Sequence, residues 1–372
     1  MVARPMTISA APDNDSPGEA VRAIAFYLPQ FHPIPENDEW WGKGFTEWTN
    51  AAKAKPLFRG HDQPHLPADL GFYDLRAPET RAAQAELARE HCIEGFCYYH
   101  YWFSGRRLLE RPFNEVLASG APDFPFCLCW ANETWTGVWH GEPNRILIEQ
   151  TYPGRADHER HFETLLPAFK DPRYICVDGC PVFVLYQPRE IPDTVDTMEF
   201  WRDMARRAGL PGLHLVGNDI GNLTPSDLGL DAATKSCLPE RRPWVSRRRP
   251  LKWLRRRFEE LAGRPTIYQY ADVLQSLLPA DEAGTAKYPC LIPNWDNTPR
   301  SGANGLVLHG STPELFRIHA EQGLDRVRDR DADHRIVFVK SWNEWAEGNY
   351  LEPDQRFGHE YLKVVRDVFC SD

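Results

Sequence analysis

Glu344 and Glu347 stand three residues apart in the stretch Ser341-Trp342-Asn343-Glu344-Trp345-Ala346-Glu347-Gly348, and a third carboxylate follows at Glu352. Carboxylates at this spacing, set among tryptophans, suit acid/base chemistry on a sugar. Indole faces stack on pyranose rings, and apolar surroundings can raise one carboxyl pKa while its neighbour stays ionised. The ordinary alternative is a surface loop with solvated glutamates above core tryptophans. Asn343, Trp345 and Gly348, interleaved with the carboxylates at the end of a strand, favour a site. The strand itself is read from the run at 335–340, which is apolar, β-branched and bounded by charge.

Such a block needs a scaffold that brings other strand ends to it. Strands are expected over 21–28, 94–102, 124–130, 181–186, 213–217, 232–236, 290–295 and 336–342. Helices are expected over 77–91, 108–117, 158–169, 199–208, 267–278, 313–322 and 358–369. Eight strands alternating with helices predict an α/β fold, a single (β/α)8 TIM barrel with long aromatic βα loops. A doubly wound open sheet is the competing fold. It usually carries a Gly-rich phosphate turn after its first strand, and none is present here.

In a barrel the strand ends meet at one mouth. Candidate substrate-binding residues at these ends are Tyr27 and His32 from strand one and His100, Tyr101 and Trp102 from strand two. Strand three supplies Asn132, Glu133 and Trp135, and strand seven supplies Asn294, Trp295, Asp296 and Arg300. Strand eight adds Asn343, Trp345 and Glu352 around Glu344 and Glu347. Each of these alone could be a capped strand end or a core aromatic; their convergence is the argument. Trp48 lies in a long insertion at 33–75, rich in aromatic, Pro and His residues, that reads as a substrate wall.

Composition narrows the function class. A chain of 372 residues with 42% hydrophobic content buries a large core, and a net charge of -10 argues against a nucleic-acid partner. Residues 1–20 read as a disordered lead without signal-peptide character, and no apolar run reaches membrane-spanning length, so a cytoplasmic location is expected. The nine cysteines read as reduced thiols rather than a disulfide framework. The cysteines and histidines show no metal-ligand spacing, so neither a metal nor a cofactor is expected. The catalytic domain is expected over 21–370, with a basic insertion near 238–258. Its Arg-rich part, 241–257, reads as a solvated basic helix, with an anionic-glycan, nucleotide-sugar or peripheral membrane contact as competing readings.

The motifs Tyr27-Leu28-Pro29-Gln30-Phe31-His32, Glu36 through Trp48, His61-Asp62-Gln63-Pro64-His65, Tyr98 through Phe103, Trp130-Ala131-Asn132-Glu133, Trp295 through Arg300 and Asn343 through Gly348 stand in this order along the chain. Together they resemble the WbsX-type family, also called glycoside-hydrolase-family-99-like proteins, over about 21–365. The resemblance implies O-antigen or capsule assembly, where members are often described as glycosyltransferases. Family 99 endo-α-mannosidases and endo-α-mannanases carry a similar block at the eighth strand of a (β/α)8 barrel. By position, Glu344 would then be the base that helps the substrate's 2-hydroxyl attack, through a 1,2-anhydro sugar, and Glu347 the general acid/base. Gly348 would permit the sharp turn that this spacing requires. Glu133 is the reserve carboxylate, as nucleophile, second base or ligand for sugar hydroxyls.

The expected partner is therefore a carbohydrate, an α-linked polysaccharide or oligosaccharide of mannan-like, O-antigen or capsular type. A glycosyltransferase using an activated sugar donor is the alternative activity. A non-catalytic glycan-binding protein is the third reading.

Overall fold

The computed structural model describes residues 21–137, 142–240, 263–278 and 286–370. The expected N-terminal lead and the Arg-rich segment at 241–257 lie outside the described residues. Eight parallel strands run in chain order around a closed barrel: β1 (Arg22–Tyr27), β2 (Ile93–Phe103), β3 (Phe126–Trp130), β4 (Cys180–Leu185), β5 (His214–Asn218), β6 (Ala232–Lys235), β7 (Lys287–Leu291) and β8 (Ile336–Val339). Closure is made by β1, which pairs with β2 on one side and with β8 on the other, in the register Arg22↔Ile336 to Ala25↔Val339. The expected (β/α)8 barrel is the fold.

Parallel strands covered on both faces need apolar side chains at consecutive positions. β8 reads Ile-Val-Phe-Val and β3 reads Phe-Cys-Leu-Cys-Trp, and every residue of both is buried. The intervening helices begin where the sequence signals them. Pro occupies the first turn of the helices Pro78–Glu90, Arg111–Ser119 and Pro313–Asp325, where its missing N–H costs no hydrogen bond. The closing helix Glu360–Phe369 packs on Pro313–Asp325.

Two expectations are corrected. The helix expected over 267–278 begins instead as a strand, Thr266–Gln269, which pairs in parallel with Leu306–His309 before a short helical turn, Tyr270–Val273. Thr266, Ile267 and Tyr268 are β-branched or aromatic residues that suit a pleated surface, and their partner strand is too distant for local periodicity to reveal. This small sheet encloses Tyr270, Leu274, Leu277, Ile292, Leu306 and Leu308 beside Trp295. The cysteines are not all free either. Cys92 and Cys370 form a disulfide with a Cα–Cα distance of 5.7 Å across a sequence separation of 278. The last helix returns beside the start of β2, a proximity that spacing along the chain cannot show.

The long β1 insertion is ordered around two short helices, Pro35–Trp41 and Glu47–Lys53. The second of these packs against the turn at Trp345–Glu347 and against Thr298–Ser301. The loops after β1, β7 and β8 therefore meet at one side of the barrel mouth.

Candidate active site

Past β8 the chain folds back on itself. Ser341 Oγ donates to the carbonyl of Asn349 at 2.7 Å and accepts the N–H of Glu344 at 2.9 Å. Asn343 clips this loop to the end of β1: its Oδ1 accepts the N–H of Leu28 at 2.7 Å and its Nδ2 donates to the Leu28 carbonyl at 3.1 Å. Trp345–Glu347 forms a single 3-10 turn that ends at Gly348, where φ is +54°. A Cβ at Gly348 would come within 2.9 Å of the Asp296 nitrogen and 3.0 Å of its carbonyl oxygen. Both the left-handed backbone and the close approach require glycine.

The two carboxylates have different neighbours. Lys340 Nζ lies 3.5 Å from Glu344 Oε1 and donates to Tyr99 Oη at 3.1 Å. Arg300 bridges Glu47, at 2.7 Å through Nε, and Glu347, at 2.6 Å through Nη1. All of these side chains except that of Arg300 belong to buried residues. Burial pushes the Glu344 carboxyl up, but Lys340, a hydrogen bond shared with Glu347, Arg300 and Tyr99 outweigh it and hold the group below the ordinary glutamate value. Burial is also the largest influence on Glu347. Arg300 pulls against it, the charge of Glu344 adds to it, and the carboxyl is pushed up to about 8. Of the two carboxyls, Glu344 is thus the more acidic and Glu347 the one that holds a proton to higher pH.

Behind the turn, Glu352 accepts hydrogen bonds from Trp345 Nε1 at 2.6 Å, Gln84 Nε2 at 2.6 Å and Tyr73 Oη at 2.9 Å. Burial lifts its carboxyl to about 7 against the pull of these donors. On the opposite flank, Asp296 accepts from Gln63 Nε2 at 2.6 Å and from Thr298, and its N–H donates to the Glu347 carbonyl at 2.7 Å. His61 Nδ1 accepts the Leu57 N–H at 3.0 Å, so its proton sits on Nε2 and is donated to Asp296 at 2.6 Å. Burial would raise the Asp296 carboxyl, but these donors hold it below the usual aspartate value.

The carboxylate pair opens into a cavity of about 490 Å³, a size that suits a small ligand. Of the residues proposed from sequence, Tyr101, Glu133, Trp135, Trp295, Arg300, Glu344 and Glu347 line it. Glu133 is an exposed residue that accepts from Gln187 Nε2 at 3.0 Å, and partial desolvation raises its carboxyl.

The other proposed contacts do not line this cavity. Tyr27 donates to Gln84 at 2.7 Å and so supports Glu352 from the core. His32 donates to the Pro29 carbonyl at 3.0 Å, and Trp48 to the Tyr73 carbonyl at 2.9 Å. His100 is buried against His161 at 2.8 Å, and Trp102 stacks on the same imidazole while donating to Asp157 at 3.0 Å. Asn132 joins Tyr152 to the Gln187 backbone, and Asn294 accepts the Tyr350 N–H at 3.1 Å. Asp296, Asn343, Trp345 and Glu352 hold the β8 loop as described above, with Trp345 stacked on Tyr350 at 3.9 Å. Each of these side chains makes at least one hydrogen bond within the protein.

Lys340, Tyr99, Tyr186 and Glu47 line the cavity and were not among the expected site residues, although Tyr99 and Glu47 lie inside the family motifs and Tyr186 ends a strand expected from sequence. The signal for Lys340 was present as a charge at the end of an apolar strand, a position that equally reads as the strand's solvated edge. Among the described residues, no group of three or more His, Cys, Asp or Glu side chains is arranged to hold a metal ion. No helix among them is long and apolar enough to cross a membrane.

Comparison with known proteins bears on the family and the fold. Residues 23–365 match the family model described as Glycosyltransferase WbsX. The protein described as "Uncharacterized protein WxcX" from Xanthomonas campestris pv. campestris (strain B100) is 39% identical over 348 residues, 93% of this chain and 49% of the relative. The chain thus spans about half the length of the curated relatives it matches. Among solved structures, a glycoside hydrolase-like protein superposes with a TM-score of 0.58 at 15% identity, covering 100% of this chain and 98% of that one. The GH99 endo-alpha-mannosidase from Bacteroides thetaiotaomicron superposes with a TM-score of 0.51 at 14% identity, covering 93% and 96% of the two chains. At such identities the structural likeness speaks for the barrel. The family match speaks for kinship, and the chain belongs to the Glycosyltransferase WbsX family.

Proposed function

We propose that the chain is a glycosidase-like enzyme that cleaves or trims an α-linked polysaccharide or oligosaccharide, of mannan-like, O-antigen or capsular type. The observation that carries this reading is the pair Glu344 and Glu347 in one cavity, Glu344 beside the Lys340 ammonium and lowered, Glu347 lifted by burial. An ionised base beside a protonated acid is the arrangement that general acid/base catalysis needs near neutral pH.

Glu347 donates its proton to the glycosidic oxygen as the bond to C1 breaks. Glu344 takes the proton of the substrate's 2-hydroxyl, whose oxygen attacks C1 and closes a 1,2-anhydro sugar. Water then opens this ring at C1, passing a proton to Glu347, and Glu344 returns its proton to O2. Both carboxyls finish as they began. The substrate supplies the nucleophile, so no carboxylate need stand where an enzyme nucleophile would attack. Lys340 keeps Glu344 ionised, Arg300 steadies Glu347 when it becomes a carboxylate, and Trp135 and Trp295 offer faces for sugar rings.

A transferase acting through the same cavity is the second reading, and the family description favours it. The separating experiment is a glycan hydrolysis screen run beside a nucleotide-sugar donor screen on the same preparation. Glycan cleavage without a donor is the expected result. Donor turnover without glycan cleavage, and above all donor turnover lost to chelation and restored by magnesium or manganese, would reverse the ranking.

A further inference from the structure

Three residues that line the cavity carry side-chain polar atoms that are buried and have no hydrogen-bond partner: Asn37 through both Oδ1 and Nδ2, Asn50 through Oδ1, and Trp295 through Nε1. Their residues are 0%, 4% and 7% exposed. Buried polar groups are almost always paired, because leaving one unpaired forfeits the hydrogen bonds it made to water. Orphaned groups inside a core can be isolated packing faults. Three on the wall of one cavity, beside the acid/base pair, call for an occupant that supplies the missing partners.

Their chemistry narrows that occupant. The orphaned set offers two acceptors, from Asn37 and Asn50, and two donors, from Asn37 and Trp295, and none of the four is charged. The cations among the described lining residues, Arg300 and Lys340, already face Glu47, Glu347 and Glu344. A ligand group that both donates and accepts, without charge, fits this set; adjacent hydroxyls on a sugar ring are such groups. Asn50 lies one helical turn from Glu47, on the same face of the helix that packs against Trp345–Glu347. A sugar held there lies next to the reacting carboxylates.

We propose that Asn37, Asn50 and Trp295 form a recognition subsite for the hydroxyls of a neutral sugar unit beside Glu344 and Glu347. Each residue lines the cavity while its orphaned atom has no exposed surface, so a rotamer change accompanies binding. The proposal rests on the glycan reading above and adds to it the charge and hydrogen-bonding character of the sugar.

The variants Asn37→Leu and Asn50→Leu test it, through thermal melting, through steady-state kinetics on the glycan found in the hydrolysis screen, and through saturation-transfer NMR with methyl α-mannopyranoside and the corresponding uronate. An apolar side chain removes orphaned atoms, so melting temperatures should equal or exceed that of the wild type. KM should rise roughly ten- to a hundredfold, with kcat changing less, because the lost contacts hold substrate and transition state alike. The neutral sugar should bind the wild type and not the variants, and the uronate should bind neither. A lower melting temperature with unchanged KM makes the amides structural and overturns the subsite, as does tighter binding of the uronate or no binding of the neutral sugar. The glycosidase reading fails separately: a wild type that binds the neutral sugar but cleaves no glycan keeps the subsite and loses the hydrolase. Glycan cleavage by Asn37→Leu at wild-type KM does the reverse.

Discussion

Lys340 Nζ stands 3.5 Å from Glu344 Oε1 with both residues buried at the barrel mouth, four positions apart across the end of β8. Against the upward push of burial, the ammonium draws the Glu344 carboxyl down. If Glu344 is the base, activity exists above its pKa and is lost as pH falls through it. Removing the ammonium lifts that pKa. Lys340→Met should therefore move the acid limb of the kcat/KM profile to higher pH, because a close opposite charge is lost. An unmoved acid limb in the variant separates Lys340 from the ionisation of the base.

The alkaline limb belongs to Glu347. Its proton must be present for the leaving oxygen, and its carboxyl is pushed up to about 8, so activity should decline as pH rises through that region. Arg300 pulls this pKa down, so Arg300→Met should shift the alkaline limb upward. Because the two glutamates share a hydrogen bond, the limbs report the pair's apparent values rather than each residue's own. A downward shift of the alkaline limb in Arg300→Met contradicts the assignment of the acid.

Gly348→Ala should cost about 1–3 kcal/mol of stability through an unfavourable backbone conformation, read as a lower urea midpoint. The added methyl meets the Asp296 backbone, which also holds the Glu347 carbonyl, so kcat should fall well beyond the loss of folded protein. Full activity in the folded fraction would show that the turn tolerates the displacement and that its geometry does not matter to Glu347.

The substrate-assisted route makes a separate forecast. A 2-deoxy or 2-fluoro substrate should bind and scarcely react, and Glu344→Gln should reproduce that loss on the normal substrate. Intact-mass measurement after incubation with a 2-fluoro sugar bearing a good leaving group should find unmodified protein. A stable adduct on Glu344 or Glu133 means an enzyme nucleophile and ends the anhydro-sugar route, while leaving a glycosidase in place.

Much of the scaffold could be read from sequence because parallel strands buried on both faces appear as continuous apolar runs, as β1, β3, β4 and β8 do, whereas β6, Ala-Ala-Thr-Lys, gives only a weak signal. The β8 block was legible for a similar reason: a glycine in the left-handed region and two glutamates three apart leave few ways to turn. What escaped was long-range. Arg300 meets Glu47 from 253 positions away, Cys92 meets Cys370 across 278, and Thr266–Gln269 becomes a strand only because Leu306–His309 lies beside it. Lys340 escaped although it is local, since a lysine that ends a strand at solvent and one buried against a glutamate look alike in sequence. Trp48, His100 and Trp102 show the converse. Aromatic and imidazole groups near strand ends suggested sugar contacts, yet each is packed or paired behind the wall.

The central claim is that Glu347 hands its proton to the leaving oxygen, and leaving-group dependence in Glu347→Gln measures that transfer most directly. Aryl glycosides and oligosaccharides of the cleaved sugar, spanning good to poor leaving groups, would be compared on the wild type and the variant. The expected result is a loss on the order of 10²–10⁴ in rate for poor leaving groups that shrinks toward nothing as the leaving group improves. An equal rate for wild type and variant on the poorest leaving group would contradict the account and remove Glu347 from the chemistry.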